Sequence, residues 1–249
     1  MPRGEDSTYA RWLNWLGHLH LYNACGGTAA EFKILNPRSI ALRGVIVNEI
    51  KFTGSDFDSI SQEDALHEMY NLARISPNVE EGEHYCDNTI TKKAAFWTTM
   101  CGSIEYFLDT AREKQPFFRR IPMPTEFSRF EKWEAWSLAQ SKVTLDEDVR
   151  SVQWPLSILT KGRKFTVTTR GYMSFCPTRC MKGDLVAVVT GGSVPLILRP
   201  HRTSENAERL GLKEQYTLIG DSYIHGLTDV EALETKDGGA DRLEDLVLL

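Results

Sequence analysis

Arg199 and His225 are the side chains of this sequence with the most evident chemistry. A guanidinium fork can hold a carboxylate or phosphate through paired hydrogen bonds. A histidine near a strand end can serve as general base or ligand. With an acid such as Asp184, Asp221 or Glu231 in a shared cleft, the two would suit a hydrolase or an NAD-consuming enzyme. The favoured reading is plainer. Arg199 forms a salt bridge inside its own module, to Asp184 or Glu231, and His225 is a hydrogen-bonded structural histidine. Asp184, next to Gly183, can accept from a nearby backbone N–H and fix a turn. No residue is assigned a catalytic role, and the enzymatic reading stays an alternative.

Cys176-x-x-x-Cys180 is the only metal-like spacing. Zinc would need two more ligands, such as His84, Cys86 or His201, and spacing cannot bring those together. Two ordinary thiols are the favoured reading, and no cofactor is expected. Lys161, Arg163, Lys164, Arg170, Arg179 and Lys182 cluster around Phe165 and Tyr172. A small β-barrel binds RNA with such a face when its aromatics are exposed for stacking. A phosphate-cradling loop, a His-Glu-x-x-His helix and a Gly-x-Ser-x-Gly elbow are all missing from the sequence.

Bulk composition narrows the partners. The 249 residues carry 29 Lys and Arg against 34 Asp and Glu, a net charge of −5, which disfavours nucleic acid and anionic membranes. Much of the excess lies at the end. From Glu231 onward, Glu231, Glu234, Asp237, Asp241, Glu244 and Asp245 face only Lys236 and Arg242, which predicts a solvated acidic tail over 234–249. The apolar runs at 185–189 and 194–198 are strand-sized, far too short to span a bilayer. The first ten residues lack a secretory leader's apolar stretch. Five cysteines in no disulfide spacing fit a reduced compartment, so the chain is expected in the cytoplasm.

The elements that must position these residues follow from periodicity. Residues 8–24 put Trp12, Leu16, Leu19 and Tyr22 on one helical face. Residues 32–52 are rich in Ile, Val and Leu and predict two or three short strands, interrupted at Asn36-Pro37. Ser61 to Asp64 forms a capping box ahead of a stripe of Leu66, Met69, Tyr70 and Ala73. Residues 77–87 are acidic and predict a loop. Trp97, Met100, Ile104, Phe107, Leu108 and Ala111 predict one long helix from Thr91, and a further helix after Thr125 buries Phe127, Phe130 and Trp133. From about Val152 the period turns strand-like. Residues 163–226 then predict short strands joined by turns at Arg170-Gly171, Gly183-Asp184 and Gly191-Gly192. The expected fold is α+β, with helices packed on a small antiparallel β-barrel or strongly bent sheet drawing strands from 32–52 and 163–226. It forms one unit over 1–233, helix-rich at 8–150 and β-rich at 152–233.

Three stretches carry a family likeness: GRKFTVTTRGYMSFCP, KGDLVAVVTGGSVPLILRP and YTLIGDSYIHGLTDVEAL. With Gly171, Gly183-Asp184, Pro195, Arg199, Tyr223, His225-Gly226 and Glu231 in order, they resemble the region downstream of the HET domain in fungal heterokaryon-incompatibility proteins. Weaker echoes lie at YNACGGT, ALRGVIVNEI and AFWTTM. One departure is local: the family pattern Met-Asp-Gly-Glu meets Asp229-Val230-Glu231 here, so valine replaces glycine. Another is larger, because the segments of the HET domain itself have no counterpart. The resemblance therefore implies a non-enzymatic interaction or regulatory region in self/non-self recognition or cell-death signalling. Its expected partner is another protein, such as a full-length HET-type relative. The motif residues are mainly turn and strand-end types, where glycine supplies positive φ or close approach and Pro195 suits a strand start.

Overall fold

The computed structural model describes residues 21–75, 84–86, 90–109, 115–120, 128–139, 146–201, 214–233 and 242–249. Most of the expected helix over 8–24 and of the expected loop at 77–87 lies outside these residues, and 21–24, within them, are not helical.

Two short helices form where capping and an apolar stripe coincide. Ser61 accepts from the Asp64 N–H and opens α1, Gln62–Ala73, which buries Leu66, Met69, Tyr70 and Ala73 as expected. Thr91 caps α2, Lys92–Met100, in the same way. The long helix expected from Thr91 stops there. Gly102 (φ 60°) and Ser103 (φ 54°) turn left-handed, and their N–H groups cap the carbonyls of Thr99 and Thr98. A Cβ at Gly102 would also meet the end of the Leu159 side chain at 2.6 Å, which would have to shift. Ile104–Asp109 continues as a strand, β3, paired with β4 at Gln115–Arg120. Helix α3, Ser128–Leu138, buries Phe130 and Trp133.

A second correction concerns 147–160. The strand-like period expected from Val152 is instead a helix, α4, Glu147–Thr160, capped by Asp146 onto the Val149 N–H. Val149, Val152 and Leu156 keep helical spacing on its buried side, and Pro155 is accommodated within it. Proline ordinarily breaks a helix interior, yet this helix continues through Pro155.

The remaining strands form one nine-stranded sheet. They are β1 (Phe32–Asn36), β2 (Ser39–Asp56), β5 (Arg163–Thr168), β6 (Met173–Pro177), β7 (Leu185–Val189), β8 (Leu196–His201), β9 (Gln215–Asp221), β10 (Tyr223–Ile224) and β11 (Glu244–Leu248). The 18-residue β2 organises it. Residues 40–44 pair with β11, 44–49 with β7 and 50–56 with β5, with register shifts along the strand. Pairings β11–β9, β9–β8 and β8–β7 complete a closed ring back to β2. All are antiparallel except β11–β9. Closure removes exposed edges from those strands. β5, β6 and β10 extend the sheet from the far end of β2.

The α+β expectation with a barrel-like sheet thus holds, with one correction. Strands come not only from 32–56 and 163–224 but also from 244–248, where a solvated tail was expected. Leu246, Val247 and Leu248 are buried between β2 and β9. Burying a short apolar run in a ladder outweighs keeping its acidic neighbours in water, since Asp245 stays near Lys33 and Arg43.

The main core joins all four helices to the sheet through Leu66, Phe96, Trp97, Phe130, Trp133, Leu156, Phe165 and Phe175. A smaller cluster is built only from ring strands, including Ala187, Leu198, Leu246 and Leu248. Among the described residues, no helix is long and apolar enough to cross a membrane.

Val230 has φ +52°, a conformation that β-branched residues avoid. This is the position at which the resembling family carries glycine. A left-handed residue other than glycine costs about 1–2 kcal/mol, and glycine's extra unfolded entropy returns about 0.5–1. Val230→Gly is therefore expected to stabilise the chain by about 1 kcal/mol in urea unfolding, whereas Val230→Ala, which keeps the strain, gives no gain.

Candidate functional site

The motif residues fall into two groups. The first starts at the turn into β7. Gly183 (φ 91°) lets the chain reverse, and its N–H meets the Ile50 carbonyl at 2.9 Å. Asp184 is 1% exposed and accepts the Met181 N–H at 2.8 Å. From β8, Arg199 reaches the same carboxylate in a fork: Nε to Oδ1 at 2.8 Å and Nη2 to Oδ2 at 2.9 Å. Its Nη2 also donates to the Arg179 carbonyl at 2.8 Å. The bond to Asp184 raises the guanidinium pKa above its ordinary value. Of the two partners expected for Arg199, the structure selects Asp184.

The second group lies where β10 meets α2 and β4. Tyr223 is buried, with its hydroxyl 2.9 Å from Ser103 Oγ and 3.3 Å from His225 Nδ1. Tyr85 donates to the His225 carbonyl at 3.1 Å and accepts from the Met173 N–H at 2.7 Å. The Tyr22 ring lies 5.6 Å from that of Tyr223, and its hydroxyl donates to the Gly102 carbonyl at 2.7 Å. Arg120 stands over Tyr22 at 4.7 Å, donates to Thr228 Oγ1 at 2.9 Å and forms an ion pair with Asp229. Burial raises the phenol pKa values of Tyr22, Tyr85 and Tyr223, so these hydroxyls stay protonated.

Glu231 accepts from the Asp229 N–H and does not reach Arg199. Burial, ahead of its neighbours, raises its carboxyl pKa. A raised acid favours the fold below its unfolded pKa and loses that contribution as pH rises through the folded one. Glu231→Gln is expected to remove this loss, so its unfolding midpoint changes less than wild type's between about pH 4 and 7.

A cavity of about 520 Å³ opens beside the second group. Tyr22, Ile104, Leu159, Ile219 and Tyr223 supply an apolar wall, and the Arg163–Asp221 ion pair (2.6 Å) lies at its polar side. Neither Arg199 nor His225 lines any of the three described cavities, and their described partners have no residue in common. Among the described residues, no hydrogen bond or ion pair joins Arg199 to His225.

Other motif residues occupy the expected turns. Gly171 and Gly226 have φ 91° and 86°, and Pro195 precedes β8 with its carbonyl accepting the Ser222 N–H. Cys176 and Cys180 are free and buried beside each other. The bond to Cys176, then burial, raises the Cys180 thiol pKa. Among the described residues no three His, Cys, Asp or Glu side chains group as metal ligands. Phe165 and Tyr172 are 1% and 8% exposed, so neither of them offers a face on which a base could stack. Sequence reasoning missed Ser103, Tyr22, Tyr85 and Arg120 as site residues, although Tyr22 lay on an expected helical face and Arg120 in a basic, proline-punctuated stretch.

Residues 142–240 match the family model of the Het-6 beta-barrel domain, a family found in fungal heterokaryon incompatibility proteins. No curated protein and no solved structure matches the chain.

Proposed function

We propose, from the Het-6 beta-barrel domain at residues 142–240, that this chain is a non-enzymatic interaction and regulatory unit of heterokaryon incompatibility. It acts in the cytoplasm, in allorecognition and programmed cell-death signalling, by binding another protein, with a full-length HET-type relative the foremost candidate. The observation that carries this reading is how the motif's polar groups are used. Asp184, Arg199, Tyr223 and His225 all spend their described hydrogen bonds inside the fold, which supports a scaffold that presents a surface. RNA recognition is not favoured, because Phe165 and Tyr172 are buried.

Deleting the coding sequence should alter the incompatibility reaction between fungal strains only when a HET-domain relative is present, and the purified chain should bind that relative. An unchanged reaction together with no binding would sink the reading. So would hydrolysis or NAD turnover by the purified chain that disappears in His225→Ala while the fold is kept.

A further inference from the structure

Cys176 and Cys180 stand at the two ends of one tight turn. Cys176 lies in β6, opposite Lys164 of β5. The chain then reverses at once: the Cys180 N–H donates to the Pro177 carbonyl at 2.8 Å, and the two thiols share a hydrogen bond. They are 0% and 1% exposed. The cover over Cys180 is nevertheless thin, because Arg179, Met181 and Lys182 beside it in the chain are exposed. Reaching the sulfurs takes local opening of a surface turn and leaves the core closed.

The first motif group holds that turn shut. The Arg179 carbonyl accepts from Arg199 Nη2 at 2.8 Å, and the Met181 N–H donates to Asp184 Oδ2 at 2.8 Å. Both chain neighbours of Cys180 are therefore tied to the Asp184–Arg199 pair. The sulfurs differ in their surroundings. Thr166 donates its hydroxyl to Cys176 Sγ at 3.1 Å, and the positive charge of Arg163 acts on the same sulfur. Cys180 instead feels the Asp184 carboxylate. A donor and a cation favour a thiolate and an anion opposes one, which makes Cys176 the attacking sulfur.

We propose that Cys176 and Cys180 form an oxidisable dithiol, closed into an intramolecular disulfide by a small-molecule disulfide and gated by the Asp184–Arg199 pair. Cys176 loses its proton to solvent, attacks one sulfur of the small disulfide and releases one thiolate, leaving a mixed disulfide. Cys180, deprotonated in turn, attacks the Cys176 sulfur and expels the second thiolate. The two protein thiols give up two electrons, and the small disulfide takes them and leaves as two thiols. Once closed, the bond ties the turn to β6 even where Arg199 does not. In a reducing compartment such a bond is transient and serves sensing. The site goes beyond the interaction reading above and does not depend on it.

Treating the folded full chain with oxidised glutathione, alkylating the remaining thiols and mapping the peptides by mass spectrometry tests this. Cys176 and Cys180 should be recovered joined to each other and protected from alkylation until a dithiol reductant frees them. Arg199→Lys, which loosens the gate and keeps the charge, should speed closure about fivefold or more. In Arg199→Ala the oxidised chain should unfold at higher urea than the reduced one; if that variant does not fold, Arg199→Lys serves for the same comparison. Thiols that stay reduced while exposed Cys86 is modified, mixed disulfides alone, or closure only after urea has unfolded the chain would overturn the proposal. A closure rate in Arg199→Lys equal to wild type's would overturn the gate.

Discussion

Arg199→Ala is expected to lower stability by about 3 kcal/mol, because breaking a pair around a buried charge leaves that charge uncompensated. Asp184 is 1% exposed, and without Arg199 its carboxylate keeps only the Met181 N–H among its described bonds. The effect is placed at the lower end of the range for buried pairs because the Arg199 side chain is 32% exposed and partly screened. Arg199→Lys keeps the charge but loses the planar fork, and should cost about 1–2 kcal/mol. Urea unfolding followed by tryptophan fluorescence reads both. A loss below 1 kcal/mol for Arg199→Ala would mean the pair does not hold the β7 turn to β8.

Leu246→Ala should cost about 3 kcal/mol, in the range for large-to-small changes at buried leucines. Leu246 is 1% exposed in β11, the strand that joins β2 to β9 and closes the ring. Leu249, three residues on and 53% exposed, is the control: Leu249→Ala should change stability by no more than about 0.5 kcal/mol. If both variants were equally mild, 244–249 would be the solvated tail that its acidic composition suggests, and the ring would be open in solution.

The contrast between these two sites shows what was legible beforehand. Turn chemistry is local, so Arg170-Gly171, Gly183-Asp184 and Gly191-Gly192 marked the strand ends within 163–226, and Asp184 was visible as a partner for Arg199. β11 was not legible. Its apolar core is three residues long, lies among acids and is buried by pairing with β9 and with β2, the latter about two hundred positions away in sequence. The apolar positions from Trp97 to Leu108 fit helix and strand alike; the left-handed Gly102-Ser103 turn divided them. In α4, the Asp146 cap and the stripe of Val149, Val152 and Leu156 were present in the sequence, but a strand-like period was read from Val152 onward. The Tyr22–Tyr223–Ser103 group was beyond reach, since it assembles residues from three distant segments around one buried hydroxyl.

The central claim is that the motif's polar side chains hold an architecture. A double-mutant cycle on Asp184→Leu and Arg199→Leu, read by urea unfolding, tests it most directly. Each single change should cost about 3 kcal/mol, and the double variant should recover about 2 kcal/mol or more of the summed loss, because an apolar pair leaves no charge stranded. Losses that add to within about 0.5 kcal/mol would show the two residues to be uncoupled in the folded chain and would contradict the account.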